Sequence, residues 1–152
     1  MRPVYSEIFI AAPPRRVFDL VLDVDRYPEW NRFTPWVSVA TAEVEAGREL
    51  DLQCQMTPWL LLRNEREVVL ELDREALAFC MGTSRTRGRP GIRSFRWQRC
   101  FAAPGGTWFL NTERFEGPLA PLVYLLYGAK LGRAFEGYCR ALKREAERQS
   151  RD

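Results

Sequence analysis

The 152-residue chain contains no histidine. That absence removes Ser–His and Cys–His nucleophile pairs, histidine-assisted zinc sites and the usual general base near neutral pH. Acid–base chemistry would fall to carboxylates, tyrosines, cysteines or lysines, and Lys130 and Lys143 are the only lysines. The four cysteines, Cys54, Cys80, Cys100 and Cys139, form no CxxC pair and lie far apart in apolar periodic stretches, so buried free thiols are expected rather than disulfides. No apolar run approaches the ~20 residues that cross a bilayer. The first ten residues carry no long apolar segment, so a cytoplasmic location is expected, with room for peripheral contact with a membrane surface. There is no Walker loop and no GxGxxG after a strand, so no cofactor and no metal are expected. A net charge of +3 is too small to argue for nucleic acid.

What is present is ordinary for a globular protein: 46% hydrophobic and 28% charged residues, at a length that suits one domain spanning residues 1–152 with a sizeable core. The chain is organised around its last long stretch. From Pro118 to Arg148 apolar residues recur at Leu119, Leu122, Leu126, Ala129, Phe135, Tyr138, Leu142 and Ala146, at helical spacing. Glu116-Gly117-Pro118 supplies a helix start. Its opening, Leu119 to Ala129, is apolar almost all round, which requires cover from loops, a ligand, a partner chain or a membrane surface. Gly128 and Gly132, one turn apart, mark a bend or a close approach of another backbone.

Ahead of it, Val4–Ala11 alternates as a first strand. Ala12-Pro13-Pro14 ends it, and Arg15–Leu22 has the spacing of a short amphipathic helix. A second short helical turn follows in Asp23–Asn31, where Trp30 and Asn31 either open a pocket or anchor the two helices. Strands are then expected within Phe33–Ala46 around Val37 and Val39, with Ala42 and Val44 as candidates to extend it, over Glu49–Thr57, over Leu60–Asp73, over Ala76–Met81, and in the two arms of a hairpin, Ile92–Ala103 and Thr107–Phe115, turned at Pro104-Gly105-Gly106. The 82–91 stretch, with Arg85, Arg87 and Arg89, reads as a solvated loop. Consecutive strands with short connections make an antiparallel sheet.

Three segments in this order, AAPPRRVFDLVLDVDRYPEWN, APGGTWFLNTERFEGPLAPL and FEGYCRALKREAE, resemble the polyketide cyclase/dehydrase and lipid-transport superfamily, the START-like or Bet v 1-like group, over nearly the whole chain. The resemblance implies an α+β helix-grip fold: a seven-stranded antiparallel sheet curved around a long C-terminal helix, with two short helices after the first strand and a cavity between sheet and helix. It also implies an apolar or amphipathic small-molecule ligand such as a lipid, polyketide or quinone. Histidines that relatives often carry on either side of the GGT turn are replaced here by Ile92-Arg93-Ser94-Phe95 and Phe109-Leu110-Asn111, which argues against a histidine-based catalytic role.

The concave face of the sheet is expected to carry Phe95, Trp97, Arg99 and Phe101 from one hairpin arm and Phe109, Asn111, Glu113 and Phe115 from the other, although Trp108 and Leu110 make the opposite face of the second arm an alternative. On that reading Arg99 and Glu113 are charges on an apolar surface, paired with each other or holding the polar end of a ligand. The helix contributes Tyr124, Tyr127, Phe135 and Tyr138, and Trp59 beside Pro58 is placed at the cavity mouth. The ligand-binding candidates are therefore Trp97, Arg99, Asn111, Glu113, Phe115, Trp59, Tyr124, Tyr127, Phe135 and Tyr138. Three functions follow: a binder or carrier of a hydrophobic small molecule; a cyclase or dehydratase using a carboxylate, with Glu113 as the candidate; and a protein-interaction module acting through residues 119–129, in a monomer or a homodimer.

Overall fold

The computed structural model describes residues 2–39, 43–84, 86 and 88–149. Its elements run β1 (Val4–Ile10), α1 (Pro14–Leu22), a 3-10 turn (Val24–Arg26), α2 (Tyr27–Trp30), β2 (Trp36–Val39), β3 (Glu49–Thr57), β4 (Leu60–Asp73), β5 (Ala78–Thr83), β6 (Arg93–Ala103), β7 (Gly106–Glu116) and α3 (Ala120–Gln149). The seven strands form one antiparallel sheet in the order β1-β7-β6-β5-β4-β3-β2. Register shifts interrupt β3–β4 after Leu52 and Gln55, and β4–β5 after Val69. Such irregularities increase local twist and bend a sheet.

The helix-grip architecture is the expected one. α3 begins at Ala120, two residues after Pro118. From Leu131 onward it buries Leu131, Phe135, Tyr138, Cys139, Leu142 and Ala146, the 3–4 spacing of a single apolar stripe. These meet Val4 and Ile10 of β1, Phe109 of β7, and Leu50 and Leu52 of β3 in one core. α1 adds Val17, Phe18 and Val21, each fully buried. The four cysteines are free and buried. Trp30 and Asn31 serve as anchors. The Trp30 ring packs on Tyr27 and Tyr138 at 5.3 and 5.4 Å, and Asn31 Oδ1 accepts the Thr34 N–H at 2.9 Å.

The strand expected from Ala76 starts at Ala78, because Leu77 takes a positive φ of 52° in the β4–β5 turn. Of the residues expected to extend the strand after Val39, Ala42 lies outside the described residues and Val44 is buried in a non-strand segment. Arg85 and Arg87 also lie outside the described residues. Gly128 and Gly132 sit in unbroken helix, where a Cβ would meet nothing closer than 4.0 Å.

The turn that aims α3 is Gly117. Its φ is +106°, and a Cβ there would lie 2.6 Å from the Gly91 carbonyl oxygen. Gly105, at the tip of the β6–β7 hairpin, also has a positive φ (79°), but a Cβ there would meet nothing within 4 Å. Gly117→Ala is therefore expected to cost on the order of 2–3 kcal/mol, combining left-handed strain with a backbone clash, and Gly105→Ala about 1 kcal/mol from strain alone. Urea denaturation of the two variants measures the difference; equal losses would refute the role given to the Gly91–Gly117 contact.

Candidate functional site

Cross-strand register decides which side chains meet on the concave face. In β6 the buried residues are Ser94, Arg96, Gln98 and Cys100, and in β7 they are Thr107, Phe109, Asn111 and Glu113. Arg96 is paired with Glu113, Gln98 with Asn111 and Cys100 with Phe109, and directly opposed residues share a face. On the neighbouring strand Met81 is opposite Arg96. The β7 face is thus the preferred of the two alternatives, while the β6 face is the reverse of the one expected.

Trp97 and Arg99 accordingly lie on the outer face of the sheet, in an open groove with Glu71 and Phe101. Arg99 faces Leu110 across the ladder, so no Arg99–Glu113 pair forms. The physical reason lies in how the outer aromatics are covered. The Arg99 guanidinium stacks 4.3 Å from the Trp97 ring, and Arg93 and Arg114 lie 5.3 and 5.6 Å from Phe95. Arginine planes shield these rings from water without burying them in the core.

Between the concave face and the first half of α3 is a cavity of about 160 Å³. Its apolar wall comes from Phe33, Met56 and Leu62 on one side and from Val123, Tyr127 and Leu131 of α3 on the other. Glu65, Glu67, Arg96 and Glu113 also line it, and the exposed Arg66 and Arg89 mark where it reaches the surface.

Arg96 is the inward charge. It is 5% exposed, and its guanidinium carbon lies 4.5 Å from the Phe135 ring, 4.7 Å from Tyr138 and 5.1 Å from Phe33. Its Nε donates to Asn111 Oδ1 at 2.9 Å. Its Nη2 is enclosed without a hydrogen-bond partner among the described residues, as is Glu67 Oε2. Ser94 stands on the same face as Glu113, and its hydroxyl lies 3.0 Å from that of Thr83. At the surface end Arg89 pairs with Glu65 at 2.8 Å.

Burial dominates the protonation of these acids. It pushes Glu113 up to about 8, reinforced by the Glu67 carboxyl and opposed by Arg96. It pushes Glu67 up to about 7, again against Arg96. Glu65 is raised by burial against the pull of Arg89. Burial also raises the Cys54 thiol at the cavity wall, which keeps it neutral and unsuited to nucleophilic attack.

Of the residues singled out in the sequence, Glu113, Phe115 and Tyr127 line this cavity. Asn111, Phe135 and Tyr138 stand behind it and fix Arg96. Tyr138 also donates to Gln98 Oε1 at 2.7 Å. Tyr124 ties α3 to β7: its hydroxyl accepts the Phe115 N–H at 3.0 Å, and the two rings meet edge to face at 5.3 Å. Trp59 is 92% exposed at the tip of the β3–β4 connection, away from the cavity, because the two-residue Pro58-Trp59 link leaves its ring nothing to pack on. Arg96, Glu65 and Glu67 were missed. The signal for the two glutamates was the charged first half of β4, where alternate residues turn inward. Leu119, Leu122, Leu125 and Leu126 are 45–81% exposed, so the described residues do not cover the apolar start of α3. Among those residues no helix is long and apolar enough to cross a membrane.

A carboxyl whose pKa is raised by folding stabilises the protein below its unfolded value, near 4.5, and that contribution is lost as pH rises through the folded value, about 8 for Glu113. Glu113→Gln should therefore leave stability within about 1 kcal/mol of wild type at pH 5. At pH 9 it should exceed wild type by on the order of 3 kcal/mol. Denaturation curves at the two pH values check this; a gap that does not widen with pH would show that Glu113 ionises freely.

Solved structures of low identity share the fold. A Thermus thermophilus protein superposes with a TM-score of 0.78 at 18% identity, covering 98% of this chain and 99% of the other. The Zhui aromatase/cyclase of a Streptomyces species gives 0.74 at 20%, covering 98% and 95%. A norcoclaurine synthase of Thalictrum gives 0.73 at 12%, covering 98% and 96%. No curated protein matches the sequence. The model of the family described as polyketide cyclase / dehydrase and lipid transport matches residues 1–147, and the chain belongs to that family.

Proposed function

We propose that the protein binds a small, mostly apolar molecule in the cavity between the sheet and α3. The observation that carries this reading is the cavity itself: about 160 Å³, with apolar walls and a few convergent polar groups, which is the make-up of a small-molecule site. An apolar protein cavity of about 150 Å³ holds a benzene-sized guest, so the enclosed part of the ligand is about one or two rings. A sterol or a long acyl chain would need the walls to move apart.

A second reading is supported by the carboxyls. Glu113 and Glu67, held near 8 and 7, lie in the range where a side chain can both give and take a proton at neutral pH. Arg96 opposite Glu113 would stabilise negative charge on an enolate oxygen. That set suits proton abstraction beside a carbonyl followed by loss of water, the chemistry of a cyclase or dehydratase. The exposed leucines of α3 form a separate surface and are needed for neither reading.

Native mass spectrometry of the purified chain, with organic extraction, tests the first reading. The expected result is a discrete small molecule of one or two rings, or uptake of such compounds from a panel. Val123→Trp, which places an indole at the half-buried cavity wall, should weaken that uptake at least tenfold while leaving stability within about 1 kcal/mol. Undiminished uptake by the variant would move the ligand elsewhere. Turnover of a bound compound that disappears in Glu113→Gln, with binding kept, would favour the enzyme.

A further inference from the structure

We propose that the cavity's ligand carries a single oxyanion, a carboxylate or an enolate- or phenolate-type oxygen, which docks on the unpartnered Nη2 of Arg96. This rests on the reading of the cavity as a ligand site and names the ligand's charge.

The argument starts from what Arg96 lacks. An arginine stays protonated in a protein, and a guanidinium taken out of water needs a partner for its donors. Arg96 is 5% exposed. Its Nε is committed to Asn111, and the rings of Phe33, Phe135 and Tyr138 lie 4.5–5.1 Å from its centre. Rings attract the charge but offer no lone pair in the guanidinium plane. No carboxylate among the described residues lies within ion-pair distance of it, and Nη2 has no acceptor. The side chain nonetheless lines the cavity. An acceptor supplied from the cavity completes it.

The surrounding groups select the sign of that acceptor. Facing the site are Cys54 from β3, Glu65, Arg66 and Glu67 from β4, Arg89 from the loop before β6, Glu113 from β7 and Tyr127 from α3. Arg89 and Glu65 offset each other. At pH 6, below both values, burial holds Glu113 and Glu67 mostly in their neutral form, so there they offer O–H donors rather than negative charge. What remains is Arg96 inside and Arg66 at the surface end, both positive. A cationic ligand would meet a like charge. A neutral one would leave the guanidinium uncompensated. An anion satisfies Nη2 and accepts from a protonated carboxyl in a charge-assisted bond. Its negative charge in turn favours the neutral form of both acids, so binding should take up protons and weaken as pH rises through about 7 and 8, where Glu67 and Glu113 ionise.

The test is titration calorimetry of the full chain with 2-naphthoate, 2-naphthol, 2-naphthamide and 2-naphthylmethylamine at pH 6 and pH 9, in two buffers of different ionisation enthalpy. Naphthoate is expected to bind at least about tenfold more tightly than the amide at pH 6, where both acids are already protonated, and to lose at least about tenfold by pH 9, where its binding takes up protons. Binding of naphthol with proton release at pH 6 would instead identify the phenolate-type oxyanion. Arg96→Gln should abolish the preference for the acid over the amide. Should that variant not fold, the comparison of ligands on the native chain decides alone. Equal or tighter binding of the amide or amine at pH 6 overturns the inference and leaves the cavity reading intact. No binding by any of the four overturns both.

Discussion

The seam between α3 and the concave face of the sheet is the constraint on which the molecule depends. From Leu131 to Ala146 the helix lies flat on the sheet and its apolar stripe is fully buried. Before Leu131 it stands off, and its leucines turn to the surface. The cavity opens at that transition, walled by Val123, Tyr127 and Leu131. Its size is set by how α3 leaves β7, through the left-handed Gly117 against Gly91 and the Tyr124 hydroxyl on the Phe115 backbone. Packing at one end of the helix and a tight turn at the other leave a gap that side chains do not fill.

Electrostatics give that gap its character. The concave face is less apolar than a core sheet face usually is, with Ser94, Arg96, Gln98, Asn111 and Glu113 on it. Part of this set is a satisfied network: Asn111 holds Arg96, and Tyr138 holds Gln98. The rest faces the cavity. Burial raises the acids, which lowers the cost of having three carboxyls there, and leaves one guanidinium as the dominant charge. The same low-dielectric setting serves a carrier, by orienting a polar end, and an enzyme, by holding carboxyls near neutral pH.

Much of the architecture was legible in the chain. The strands expected over Glu49–Thr57 and Leu60–Asp73 match β3 and β4 to the residue; in β3 the signal was alternation, because a half-buried strand imposes period two on its side chains. The 3–4 stripe of the last helix was equally plain. The site was legible in part. Of the candidates, Glu113, Phe115 and Tyr127 line the cavity. Trp97 and Arg99 were placed inward on the premise that aromatic residues face the core; in β6 the aromatics face out beneath arginines, and the arginine of the opposite parity is the buried one. A strand with Phe95, Trp97 and Phe101 on one face and Arg96, Gln98 and Cys100 on the other has no parity signal strong enough to overrule its partners.

Local patterns determined the kind and order of the elements, the lack of histidine chemistry and the membership of a fold, since each depends on residues near one another in the chain. The register of β6 against β7, and with it the identity of the inward arginine, was decided only in the tertiary structure. Which face of a two-sided strand is buried depends on the helix and strands it meets, and Phe135 and Tyr138, whose rings receive Arg96, lie about forty residues away along the chain.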